Sequence, residues 1–388
     1  MKKILVTHPS NDLYGADKIL ISALCALPNE AIKIVLLPGP GPLTFRIRNK
    51  VKNVHIHFIT SLPIICRANY SFSGMLKLVG KYKRTKEIIQ DLNQIHGFDF
   101  AIHNTLAMSL VARITKKLNI KSLMYCHEIL QSPKIVSGLI NKLGCNNSDS
   151  VICVSNAVRQ NLVKHFYKVE KFQVIHNGIK EVKVGQNRIE DRMVFTFIGR
   201  ISHQKGLWFL LDSLAQLPRS ELIKLKINIV GGTVEGKEYL KYDLRKKIAK
   251  LGLQTQIFVR PFSPDISEIL SKTNVVLVPS IMADPFPTTV IEAMSACRAV
   301  ITTNNGGAQE IVSDGWNGKL VQPHDVSGLA NAIKYYLSNQ MEVLSHGYRG
   351  RHIYVKRLTE TRYHSELQKF YAEEFDVSFE EQKLSGAA

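Results

Sequence analysis

The sequence predicts an α/β protein built from two doubly wound, parallel-sheet domains. Short apolar runs rich in β-branched residues alternate with stretches of helical periodicity along nearly the whole chain. The alternation stops in a polar stretch, residues 180–192, and then restarts. A length of 388 residues, with 45% hydrophobic and 21% charged residues, suffices for two packed cores.

In the first half, residues 4–7, 32–37, 54–58, 100–103, 122–126 and 151–154 read as strands. Helical spacing falls at residues 16–27, 75–95, 106–118 and 157–165. Strands joined through helices pair in parallel, because a crossover returns the chain to the same end of the sheet. In the second half, strands are expected at residues 194–198, 225–230, 256–259, 275–278 and 299–302. Their helices fall at residues 207–217, 239–251, 266–270, 290–297 and 328–337. From residue 359 helical spacing returns at Leu367, Phe370 and Tyr371, and residues 376–388 read as a frayed end. The expected domains are residues 1–182 and 190–357, followed by a C-terminal segment, 358–388. Ligands of open parallel sheets bind beyond the carboxyl ends of the strands, so two such domains facing one another would enclose a cleft.

Six scattered cysteines without a C-x-x-C pair read as reduced, structural thiols and give no zinc site. The start, Met1-Lys2-Lys3, is charged, but the apolar run after it is too short for a signal peptide. No run is long enough to span a bilayer, so a cytoplasmic protein is expected. The net charge is +19. Residues 1–180 hold 25 Lys and Arg against 9 Asp and Glu, whereas the remainder holds 26 against 23. A basic first half attracts something anionic: a membrane surface, a lipid diphosphate or nucleic acid. Lys77, Lys81, Lys83, Arg84 and Lys86 share one helix with Met75, Leu76, Leu78, Val79 and Tyr82, beside Tyr70 and Phe72. That pattern fits a solvated face or a peripheral membrane contact. Nucleic acid is set aside, since no basic strip studded with aromatics and no known nucleic-acid motif is found.

Two segments carry the chemistry. The first is Ala283-Asp284-Pro285-Phe286-Pro287-Thr288-Thr289, which leads from an apolar strand into a helix holding Glu292. First-turn N–H groups have no partner within a helix, so such a start favours an anion. Asp284 and Glu292 would repel a phosphate and suit hydroxyls instead. The combination fits a ligand with both groups, a nucleotide sugar. Thr289-Val290-Ile291-Glu292 also has the form of a capping box, which starts ordinary helices. The second segment is Gly199-Arg200-Ile201-Ser202-His203-Gln204-Lys205-Gly206. Its two cations lie five residues apart between glycines and suit a diphosphate: a guanidinium takes two oxygens and a lysine adds a mobile charge.

These residues resemble the signatures of the retaining family-4 glycosyltransferases, which have the GT-B fold of two Rossmann-like domains. Residues 284–292 follow E-P-F-G-x-x-x-x-E, with Asp284 in place of the usual Glu and Pro287 in place of Gly. Residues 199–206 match G-R-[LI]-x-x-x-K-G at every defined position. The loop Tyr14-Gly15-Ala16-Asp17-Lys18 resembles G-G-A-E-[KR], keeping one glycine, and His127-Glu128 stands where the family has a His near the donor sugar. Gly231-Gly232, Gly306-Gly307 and Asn317-Gly318-Lys319-Leu320 match family turns.

The resemblance implies a nucleoside-diphosphate sugar donor and a glycan or lipid-linked acceptor, with no cofactor and no metal. His127, Arg200, Lys205 and Asp284 would be catalytic. Gly15, Gly199, Arg200, Lys205, Asp284, Phe286, Thr288, Thr289 and Glu292 would hold the donor. It also implies that the last helix crosses back to the first domain. With the basic first half, it implies work on bacterial cell-surface polysaccharide (O-antigen, capsule or lipopolysaccharide), on the inner face of the cytoplasmic membrane. The rivals are a nucleotide-sugar 2-epimerase on the same fold and a non-enzymatic binder of polyanions. A dinucleotide dehydrogenase would need G-x-G-x-x-G after the first strand, which this chain lacks.

Overall fold

The computed structural model describes residues 1–66, 69, 71–166, 169–234, 236–263 and 265–379. Tyr70 and the end of the tail, residues 380–388, lie outside the described residues. The chain divides into two compact units: Met1–His176 together with the segment from Thr361, and Asn177–Glu360.

The first unit is built on seven strands: β1 (Lys3–Thr7), β2 (Ile32–Leu37), β3 (Val54–Phe58), β4 (Phe100–Asn104), β5 (Lys121–Cys126), β6 (Ser150–Cys153) and β7 (Phe172–Val174). All pair in parallel, in the order β3-β2-β1-β4-β5-β6-β7. The apolar runs of β1, β2 and β4 are buried almost throughout, as parallel strands covered on both faces require. Strand order reverses between β1 and β4, so the carboxyl ends of these neighbours form a switch point, where open sheets bind ligands. Strand β7 was not expected, because three residues are too few for a periodic signal. The helix expected at 106–118 is a 3₁₀ turn, Leu106–Met108, followed by an α-helix, Ser109–Lys117. Helices Pro42–Lys50 and Lys134–Asn146 were also not expected; the first buries only Leu43, Thr44 and Ile47, and the second contains two glycines.

The C-terminal helix, Glu360–Phe375, belongs almost wholly to this unit. Leu367, Phe370 and Tyr371 are buried, as their spacing implied. Phe375 stacks on Phe100 with ring centroids 4.4 Å apart, and the Tyr363 and Tyr125 hydroxyls meet at 2.5 Å.

The second unit holds six parallel strands: β8 (Met193–Ile198), β9 (Leu225–Val230), β10 (Ile257–Arg260), β11 (Val275–Val278), β12 (Ala299–Thr303) and β13 (Lys319–Val321). Their order is β10-β9-β8-β11-β12-β13, so the switch point lies between β8 and β11. Its core packs Phe195, Phe197, Ile227, Ile229, Leu277 and Ile301 under the helix Leu207–Leu214. Strand β13 takes up part of what read as a turn at 317–320. A further helix, Gln340–Arg357, was not expected, because it docks through small residues: a side chain at Gly347 would meet the Cys297 carbonyl oxygen at 2.3 Å. Close backbone packing of this kind leaves little hydrophobic pattern to read. Among the described residues, no helix is long and apolar enough to cross a membrane.

Candidate functional site

In the second unit, three loops leave the carboxyl ends of β8, β11 and β12 and lie backbone against backbone. The loop after β8 begins with Gly199, whose N–H donates to Val230 O at 3.0 Å, and Ile201 N–H donates to Gly232 O at 2.8 Å. A 3₁₀ turn, His203–Lys205, ends at Gly206 with φ 76°. A Cβ on Gly206 would sit 1.8 Å from the Pro279 carbonyl oxygen, so only glycine permits this approach. Ile281 N–H donates to Gln204 O at 3.0 Å, which ties the loop after β11 to the loop after β8. The loop after β12 closes from the other side at Gly306, φ 77°, where a Cβ would meet Asp284 O at 2.1 Å. The next N–H, of Gly307, donates to that same oxygen at 2.9 Å.

This packing fixes the backbone of Asp284 and brings its Oδ2 to 2.5 Å from Lys205 Nζ. Two residues chosen from separate motifs are therefore in direct contact. The lysine side chain is 39% exposed and the aspartate 14%, so the pair faces water on the lysine side. Arg200 lies in the same loop as Lys205 and is partly exposed.

The helix Thr288–Ser295 starts directly after this turn. Its N-cap is Pro287, with no side-chain capping bond, so Thr289 and Glu292 do not form the capping box that their letters allow. Thr289 instead donates a long hydrogen bond, 3.4 Å, to Ile198 O at the end of β8. Thr288 and Glu292 share one face, being four residues apart. Glu292 is buried, and Phe286 is buried as the apolar anchor of the turn. The turn thus sets a helix start without a side-chain cap beside Lys205 and two carboxylates, Asp284 and Glu292, although Val290 N–H already donates to Pro287 O at 3.1 Å.

In the first unit, Gly15 opens the helix Gly15–Cys25, and His127 follows β5. His127 belongs to a polar chain that the sequence did not reveal. Its Nε2 lies 2.9 Å from Asn104 Oδ1, Asn104 Nδ2 lies 2.8 Å from His8 Nδ1, and His8 Nε2 lies 2.7 Å from Asp17 Oδ1. The only sequence cue was polar residues at the carboxyl ends of β1, β4 and β5, which become neighbours once strand order is known. His103, by contrast, is structural: its two ring nitrogens bond to Thr7 and Thr115, both at 2.9 Å, within the core.

Burial, with a smaller contribution from His8, pushes the His127 imidazole down to about 3, so it is neutral at physiological pH. Its ring packs on Tyr125 at 4.4 Å between centroids. Glu128 accepts from the N–H groups of His127 and Leu106 at 3.1 and 3.2 Å, joining the loops after β5 and β4. Burial outweighs these bonds and pushes its carboxyl up from 4.5 to about 7.

Two parallel-sheet, Rossmann-like units are the fold of the GT-B class of glycosyltransferases. Residues 179–368 match the model of the glycosyl transferases group 1, and residues 25–182 match that of Glycosyltransferase Family 4. The chain belongs to the family-4 glycosyltransferases. Relatives include an uncharacterized glycosyltransferase of Methanocaldococcus jannaschii, 27% identical over 75% of this chain and 77% of its own. Another is the Escherichia coli UDP-Gal:alpha-D-GlcNAc-diphosphoundecaprenol alpha-1,3-galactosyltransferase, 23% identical over 83% of this chain and 84% of its own. Among solved structures, Anabaena HepE in complex with UDP and glucose superposes with a TM-score of 0.78 at 22% identity, over 96% of this chain and 100% of its own.

The raised carboxyl of Glu128 has a stability signature. The fold favours its neutral form, so this contribution is complete below pH 4.5 and is lost as pH rises through about 7. Glu128→Gln keeps a neutral group at all pH values. The unfolding free energy of the native chain minus that of Glu128→Gln is expected to fall across this range and level off above it. A difference independent of pH, measured by urea denaturation, contradicts the burial.

Proposed function

We propose that the chain is a retaining hexosyltransferase that takes a sugar from a nucleoside diphosphate without a divalent metal. The contact of Lys205 with Asp284, beside Arg200 and a helix start without a side-chain cap, is the observation that carries this reading. The difficult event is rupture of the bond between the anomeric carbon and the β-phosphate oxygen, which leaves charge on the departing diphosphate. Arg200 and Lys205 neutralise that charge where it develops, and the first-turn N–H groups of the helix Thr288–Ser295 add fixed donors. Glu292 binds the ribose hydroxyls. Asp284 holds Lys205 through Oδ2 and offers its other oxygen to a donor-sugar hydroxyl. Gly15 and Gly199 let backbone approach the donor, Phe286, Thr288 and Thr289 shape the turn that receives it, and His127 contacts the sugar. The acceptor hydroxyl attacks the anomeric carbon from the face that the diphosphate leaves. Its proton passes to a phosphate oxygen of the leaving group, so no separate base or covalent enzyme intermediate is needed.

Relatives acting on diphosphoundecaprenol and lipopolysaccharide, and structural neighbours in complex with UDP, support UDP-sugars as first donors to assay and a lipid-linked glycan as acceptor. The reading extends to polysaccharide synthesis at the cytoplasmic face of a membrane. The helix Phe72–His96 supports it: Phe72 is 76% exposed and Leu76 59%, and Lys77, Lys81, Lys83 and Arg84 are exposed on the same helix. A basic, apolar-tipped helix suits an anionic lipid surface.

Arg200→Ala and Lys205→Ala are each expected to lower kcat by about 100- to 1000-fold, the range for removing one transition-state donor. Turnover of the native enzyme is expected to survive complete chelation of divalent ions. Full activity in both variants, or activity that disappears with chelator and returns with Mg²⁺, overturns the mechanism. Binding to phosphatidylglycerol vesicles is expected to weaken as salt rises and to drop in a Phe72→Ser, Leu76→Ser double variant. Indifference to both changes removes the membrane assignment.

A further inference from the structure

The chain that ends at His127 has a direction. It crosses three neighbouring strand ends, from the helix after β1 through β4 to β5, and its inner members are closed to water: His8, Asp17 and Asn104 are 1%, 3% and 0% exposed. Buried polar groups must be satisfied by one another, so the position of each proton is set by its neighbour. We propose that Asp17 acts through His8 and Asn104 as a positioning residue, holding His127 in its Nε2–H form so that Nδ1 accepts a hydroxyl of the bound sugar. This inference rests on the glycosyltransferase reading for the identity of the ligand, but not for the proton order.

The order follows from the acid end. Burial alone would raise the Asp17 carboxyl, yet the hydrogen bonds it accepts from His8, Ser10 and the Tyr14 N–H hold it below its ordinary value. As a carboxylate it can only accept. Ser10 donates to its Oδ1 at 2.5 Å, and Tyr14 N–H donates to its Oδ2 at 2.8 Å. His8 Nε2, on the same Oδ1, therefore carries a hydrogen. The amide nitrogen of Asn104 can only donate, so His8 Nδ1 receives it as a lone pair. The Asn104 oxygen is left for His127 Nε2, which must donate. Since His127 is neutral, its Nδ1 holds a lone pair and can only accept. A bland polar tether would work in either direction; an ionised acid at one end selects one.

The decisive substitution is Asp17→Asn. The Tyr14 N–H must still be accepted, so the new amide turns its oxygen to Tyr14 and its NH₂ to His8. His8 Nε2 then has to accept, the Asn104 amide turns over, and His127 is left with its hydrogen on Nδ1. The Ser10 hydroxyl, which donates to Asp17 Oδ1 and lies 3.1 Å from His8 Nε2, turns over as well, accepting from the new NH₂ and donating to His8 Nε2, so every group of the reversed chain keeps a partner. Asn104→Asp is the control: a carboxylate also accepts from His127 Nε2–H, so the His127 tautomer is retained.

The experiment is long-range ¹H–¹⁵N spectroscopy of the histidine side chains in the full-length protein, with donor kinetics alongside. The native protein and Asn104→Asp are expected to show His127 as the neutral Nε2–H tautomer, and Asp17→Asn as the Nδ1–H tautomer. In Asp17→Asn, kcat for the nucleotide sugar falls by about tenfold, the worth of one neutral hydrogen bond, while affinity for UDP stays unchanged. A native His127 protonated at Nδ1, or a tautomer that stays the same in Asp17→Asn, overturns the proposal. Should Asp17→Asn fail to fold, the native spectrum and Asn104→Asp still decide it. Reversal of the tautomer with full turnover overturns the acceptor role of Nδ1. A native chain that turns over no nucleotide sugar refutes the enzymatic reading instead, and the spectra alone then judge the proton order.

Discussion

The candidate donor site of the second unit depends on one steric constraint, the direct approach of loop backbones at Gly206 and Gly306. At both positions the chain adopts positive φ, and a Cβ would lie 1.8 and 2.1 Å from the facing carbonyl oxygens of Pro279 and Asp284. No other residue combines that conformation with that clearance. The loops after β8, β11 and β12 therefore meet without intervening side chains. Lys205, from the loop after β8, and Asp284, from the loop after β11, emerge side by side.

That contact also gives meaning to the departures from the family pattern. An aspartate at position 284 is one methylene shorter than the usual glutamate, and its Oδ2 ends on Lys205 Nζ. A half-exposed pair of this kind contributes about 1 kcal/mol or less to stability, so its worth lies in placing the cation. An arriving diphosphate carries more charge than one carboxylate and competes for the same lysine. Pro287 occupies the N-cap, where its lost N–H leaves those of the first turn untouched.

Much of this was legible in the sequence. Every expected strand exists, because buried parallel strands are uninterrupted apolar runs such as Val275–Val278. Elements that dock by other means were missed. Strand β7 is too short to show a period, and the helix Gln340–Arg357 packs through Gly347 and Gly350 rather than an apolar stripe. In the second unit, the spacing of Arg200, Lys205, Asp284 and Glu292 was readable because each motif is local in sequence. The chain from Asp17 to His127 was not, since its members come from three segments, 96 residues separating His8 from Asn104 and 23 separating Asn104 from His127, and meet only through strand order. Thr289 and Glu292 illustrate the converse: their letters spell a capping box, but the N-cap is Pro287, two residues too early for it.

The central claim is that Arg200 and Lys205 form the diphosphate subsite, and it is tested most directly by comparing the affinities of uridine and UDP by calorimetry. In the native protein UDP should bind about 100-fold tighter or more, as two charge-assisted contacts of roughly 1.5 kcal/mol each require. In the Arg200→Ala, Lys205→Ala double variant that advantage should collapse while uridine binding is retained. An advantage of undiminished size in the double variant contradicts the account.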